Sequence, residues 1–90
     1  MNDIQGSHNA ILENRRKLML TGVTDVESFN EEQINLYTQL GELTIKGNQL
    51  HINEMSVDSG DLSVEGDISA LIYGDRDRRN RLTTLGKLFR

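Results

Sequence analysis

This 90-residue sequence predicts an all-β fold, a compact small sandwich or roll of about eight short, mostly antiparallel strands linked by hairpins. Three observations predict it. One form recurs as "RKLMLTG", "GELTIKG" and "GDLSVEG", in which Leu and a second aliphatic residue alternate with polar residues until a glycine closes the run. Alternation with period 2 marks a strand with one buried face and one wet face, because successive side chains of an extended chain point to opposite sides. The closing glycines, Gly22, Gly47 and Gly66, stand 25 and then 19 residues apart, so the units are strands with turns rather than the constant period of a solenoid. Finally, two-residue loops placed at glycines yield registers in which the apolar faces agree.

The strands are expected at 17–21, 26–29, 34–38, 42–46, 49–53, 55–58, 61–65 and 68–73. A loop at Leu40-Gly41 sets Leu36 opposite Ile45 and Thr38 opposite Leu43. A loop at Gly47-Asn48 sets Ile45 opposite Leu50 and Leu43 opposite Ile52, which gathers four aliphatics on one side. A loop at Ser59-Gly60 pairs Val57 with Leu62 and Met55 with Val64. Gly22, Gly41, Gly47, Gly60 and Gly66 are therefore read as the structural turns. Two slips interrupt the alternation. Ile52 and Met55 are three apart, which calls for a bulge or a corner between layers at Asn53-Glu54. Ile68, Leu71 and Tyr73 share no period, which calls for a bulge near Ser69-Ala70. Residues 1–8 are expected to fray, 9–74 to form the domain, and 75–90 to be a tail joined through a hinge at 74–80. Met19 and Tyr37 are expected to point outward, and open strand edges would favour self-association.

Composition sets the bounds. A chain of this length hides only about 60–65% of its unfolded surface, and with 4% aromatics and 36% hydrophobic residues its core must be thin. The absence of Cys excludes disulfides and thiolate metal sites. The longest apolar stretch, "ALIY", is far short of a membrane span, so a soluble or peripheral protein is expected. Charge is divided unevenly. Residues 1–74 hold 4 basic and 12 acidic side chains, whereas residues 75–90 hold 6 basic and 2 acidic ones. A cationic tail on an anionic body is the most informative bulk property of the chain.

If residues 80–89 become helical, Leu82, Leu85, Leu88 and Phe89 fall on one stripe with Arg81 and Lys87 beside it. Together with Arg76, Arg78, Arg79 and Arg90 these are the residues expected to bind a membrane or partner. An anionic membrane contributes about 1 kcal/mol per basic residue near the headgroups, and a partner groove would add specificity. A solvated tail is the bland alternative. The "RDRRNR" run also suggests nucleic-acid binding, but the acidic body opposes it and only Phe89 could stack nearby.

No enzyme activity and no cofactor are expected. The chain contains no GxSxG, HExxH, GxGxxG or P-loop motif. His8 falls in the end expected to fray, and His51 on a wet face. The acidic run Asp58, Asp61, Glu65 and Asp67 lacks the dense odd-position spacing of a calcium loop and reads as turn chemistry rather than a metal site.

The stretch from Leu18 to Tyr73 resembles the YabP and YqfC family of bacterial sporulation proteins, closest to the YabP branch. The resemblance rests on "LTGV..V.SF", "G.L.I.G..L.I" and "G.I..L.Y", and it resumes at "LGKLFR". Family members often carry "GFF" before "KLF", where this chain has "TTLG". The resemblance implies a scaffold or adaptor role in building the spore envelope, cortex or coat. It implies cytoplasmic placement in the mother cell, peripheral at the forespore membrane, with other sporulation proteins or a membrane protein as partners. It implies no reaction.

Overall fold

The 16 residues Gly41–Ser56 carry Leu43, Ile45, Leu50 and Ile52 to one core as a single continuous strand. The computed structural model describes residues 7–56 and 58–74. Its strands are β1 (Ala10–Glu13), β2 (Lys17–Leu20), β3 (Val23–Phe29), β4 (Gln33–Thr38), β5 (Gly41–Ser56) and β6 (Asp61–Tyr73). All six pair antiparallel in one sheet of order β1-β2-β6-β5-β4-β3. The fold is all-β, as the alternation predicts.

That sheet cannot be flat. In a flat sheet β2 and β3 would stand four strand spacings apart, about 19 Å, yet only Thr21 and Gly22 join them, and that link reaches no more than about 11 Å from Leu20 to Val23. The sheet must therefore roll until its two sides meet. Leu18 and Leu20 of β2 accordingly share one buried cluster with Ile34 and Leu36 of β4, Leu43, Ile45 and Leu50 of β5, and Leu62, Val64 and Ile68 of β6. Backbone bonds close the corner: Val23 N–H donates to the Gly60 carbonyl and Gln39 N–H to the Gly22 carbonyl.

The long strands bend where the alternation breaks. Ser69 bulges from β6 between the pairs Lys46–Ala70 and Gly47–Ile68, with its hydroxyl donating to the Lys46 carbonyl. Asn53 bulges from β5 between Ile52–Val64 and Glu54–Ser63. Both slips read from the sequence are thus bulges. A third bulge sets Gln49 and Leu50 against Gly66, with Gln49 at φ 55°.

That third bulge corrects the turn expected at Gly47-Asn48. Ile45 and Leu50 are five apart, an odd interval that a regular strand would split between faces. An extra residue restores them to one face as effectively as a reversal would. The expected segments 42–46, 49–53 and the start of 55–58 are therefore one strand and 61–65 and 68–73 are another, so the expected eight strands become five, and β1, which the alternation did not predict, makes six. Gly47 and Gly66 sit inside strands rather than in turns. Val57 lies outside the described residues.

Two expected hairpins are present with shifted centres. Leu36 faces Leu43, and Met55 faces Leu62. Gly41 opens β5 opposite Thr38 instead of occupying the loop. In each case both partners keep their face, because the register moves by two residues. Gly22 and Gly60 do lie in connections, at φ 72° and 77°. Tyr37, expected outward, is 2% exposed. Its strand lies between β3 and β5, so neighbours flank the ring on both sides.

Candidate interaction surface

The expected binding residues Arg76, Arg78, Arg79, Arg81, Leu82, Leu85, Lys87, Leu88, Phe89 and Arg90 all lie outside the described residues. What the structure describes is the body that carries them. Its cations gather at the β1–β2 turn, which contributes Arg15, Arg16 and Lys17. That turn is stitched to the bulged middle of β6. Gly66 N–H donates to the Arg16 carbonyl, Ile68 N–H donates to the Arg15 carbonyl, and Arg15 Nε donates to the Ile68 carbonyl. Arg16 also stands 3.3 Å from Asp67, an exposed ion pair worth little in water.

Two other carboxylates of the acidic run, Asp61 and Glu65, have separate local partners. Ser59 donates to Asp61, and Glu65 faces His51 at 3.7 Å. Among the described residues, no three His or carboxylate groups converge as a metal would require. The two histidines have no partner in common. His51 is exposed on β5, whereas His8 is held in place: its Nδ1 lies 2.7 Å from the Thr21 carbonyl and its Nε2 2.7 Å from the Tyr73 hydroxyl. A carbonyl only accepts, so Nδ1 carries a proton and donates to Thr21, while Nε2 and the Tyr73 hydroxyl share the second bond. The two rings meet edge-on at 5.5 Å. His8 thus pins the residues just before β1 to the end of β6.

Burial raises the Tyr73 pKa above its usual value of 10.0. A group whose pKa is raised by folding adds stability that is present below the unfolded value and is lost as pH climbs through the folded one. Tyr73→Phe should remove the late-titrating phenol from an alkaline absorbance titration and flatten that loss. Near neutral pH it should cost at most about 1 kcal/mol in urea unfolding, since the hydrogen bond is exposed.

A groove of about 920 Å³ is lined by residues of β1, β2, β6 and the end of β5. Ile11, Met19 and Met55 give it an apolar lining, and Ser63 forms part of its wall. Ser63 is 8% exposed, and its hydroxyl has no hydrogen-bond partner. Ile11 and Met55 are each about half exposed. The sheet has two edges, and they differ. Outer strand β3 carries Asp25 and Glu27 and is broken by two register shifts, features that discourage pairing with another chain. Outer strand β1, "AILE", is exposed along its length and pairs with β2 without a shift.

The YabP family model matches residues 4–80, which takes in every described residue. The chain belongs to the YabP family. It is 31% identical over 74 residues to Spore protein YabP of Bacillus subtilis (strain 168), covering 82% of this chain and 74% of that one. The YabP family is one of sporulation proteins, not a known enzyme family, which agrees with the resemblance read from the sequence. Its sequence features now have structural meanings. "LTGV" is the β2–β3 corner, "G.L.I.G..L.I" is β5 through its central bulge, and "G.I..L.Y" is the end of β6 with the Ser69 bulge.

Sequence reasoning missed the β1 edge and the His8–Tyr73 contact. The first had one readable signal, the Asn14-Arg15 pair that takes the turn in left-handed conformation at φ 54° and 56°. Asn is the residue other than glycine most tolerant of that region. The second joins residues 65 apart and left no local pattern.

Proposed function

We propose that the chain is a non-enzymatic scaffold or adaptor in assembly of the spore envelope, cortex or coat. On this reading it sits in the mother cell and docks at the forespore membrane through residues 75–90, on anionic lipid or on a membrane protein. Membership of the YabP family supports the setting. The observation that carries the docking role is the charge partition, with 6 basic residues against 2 acidic in the last sixteen and the reverse bias in the rest. Like charge keeps the acidic body off an anionic surface, while the cationic segment is drawn to it and its apolar residues add burial.

The test compares the intact chain with one ending at Asp75 in sporulating cells, by fractionation and imaging. Truncation should move the protein from the membrane fraction to the soluble one while the isolated body keeps its circular dichroism spectrum. An unchanged distribution would assign docking to the acidic body and overturn the role given to the tail.

A further inference from the structure

We infer that β1 is a homodimer interface, at which a second copy of this chain adds its own β1 antiparallel and extends the sheet across a two-fold axis. This goes beyond the docking role and rests on the geometry of the edge alone. In an antiparallel ladder, alternate residues direct both backbone groups to the same neighbour. The Asn9 carbonyl accepts from Thr21 N–H, and the Glu13 carbonyl accepts from Arg16 N–H. The odd residues of β1 therefore face β2, and Ala10 and Leu12 direct their N–H and C=O groups away from the sheet. No described residue pairs with that side.

These free groups are self-complementary. A two-fold axis perpendicular to the sheet keeps each side chain on its own face, so a residue must pair with one of the same parity. With Ile11 opposite Ile11 of the second copy, Ala10 faces the second copy's Leu12 and Leu12 faces its Ala10. Both are pairs of the hydrogen-bonded kind, so every outward N–H and C=O of Ala10 and Leu12 finds a partner. The register centred on Leu12 would instead set Ala10 against Asn14, which is held in the turn at φ 54°. It would also set Ile11 against Glu13. The register centred on Ile11 places apolar residues opposite one another and Glu13 opposite Asn9, clear of the second Glu13. Ile11 and Met19 are adjacent on the outer face, so the two apolar grooves would meet along the new seam.

The edge carries few of the devices that block pairing: its one charge is Glu13, it has no proline or lysine, and unlike β3 it has no bulge. A symmetric pair of like edges closes on itself and leaves the β3 edges on the outside.

The absence of native cysteine makes the test direct. Full-length Ile11→Cys, oxidised under dilute conditions, should form a disulfide-linked dimer. Directly opposed residues that are not hydrogen-bonded have Cα atoms about 4.5 Å apart, within the range a disulfide spans. Leu12→Cys should cross-link at least tenfold more slowly, since two residues of offset carry its Cα atoms beyond about 7 Å. The unmodified chain should sediment at twice 10.2 kDa. Leu12→Pro removes an outward N–H while sparing the bonds to β2, so it should yield a monomer with an unchanged circular dichroism spectrum. Should that variant misfold, the cysteine pair still decides. A chain monomeric at hundreds of micromolar, or faster cross-linking at Leu12 than at Ile11, would overturn the proposal.

Discussion

Gly47→Ala is expected to destabilise the fold by about 2–4 kcal/mol, a large effect for one methyl group. Gly47 lies in β5 opposite Ile68, where β5 and β6 approach between two bulges. A Cβ there would fall inside van der Waals contact of the Asp67 carbonyl oxygen and 3.0 Å from Leu50 Cδ2. The first is backbone and the second is core, so neither can move without separating the two longest strands. Gly66, across the central bulge, is constrained in a second way. It holds φ 143°, and a Cβ on it would lie 2.6 Å from the Gln49 carbonyl oxygen. Gly74→Ala is the control, because a Cβ there meets only the end of the flexible Glu42 side chain, at 2.8 Å. It should cost less than about 0.5 kcal/mol. Urea unfolding followed by circular dichroism measures both variants, and equal midpoints for Gly47→Ala and the parent would refute the close approach.

The same glycines show what could be read in the sequence. Alternation fixed which side chains go inward: Leu18, Leu20, Leu36, Leu43, Ile45, Leu50, Leu62 and Val64 all reach the core. Breaks in alternation were equally readable at Asn53-Glu54 and Ser69-Ala70, whereas the odd spacing across Gly47-Asn48 suggests a turn. A phase slip does not, however, say whether the chain reverses or bulges, because both return odd-spaced aliphatics to one face. The difference lies in what stands beside the strand. Gly47 and Leu50 donate to the carbonyls of Glu32 and Glu31, so the loop before β4 occupies the backbone groups that a reversal would have turned away. That contact is nonlocal and leaves no trace in "IKGNQL".

Of the candidate surface, sequence located the charge and the fold fixed the edges. Edge status belongs to strand order, which leaves β1 and β3 outermost, and with that order the two-residue corner Thr21-Gly22 forces the sheet to roll. Nothing in "AILE" taken alone distinguishes an outer strand from a frayed end. All four residues are exposed, so the one-sided burial that made the other strands legible is missing.

Ile45→Ala carries the second large effect. Ile45 is fully buried, and its β-ladder neighbours are Ile34 on one side and Leu71 on the other. The site therefore joins β4, β5 and β6 at the point where the roll closes over Leu18 and Leu20. Removing three carbons from such a position costs the lost burial and the cavity left behind, about 2–5 kcal/mol. A domain of this size has only about 5–13 kcal/mol in all, so much of its stability would go. At about 4–8 °C per kcal/mol, a loss of about 3 kcal/mol lowers the Tm by about 12–24 °C. Ile72→Ala, in the same sheet but 48% exposed and opposite Thr44, should lower it by only a few degrees. The contrast tests the roll itself. In a flat sheet one face of β5 would lie open to water, and truncation at Ile45 and at Ile72 would cost similar amounts. A rolled sheet makes one of them central and leaves the other at the surface. Near-equal Tm shifts for the two variants would show that the inner face is not closed.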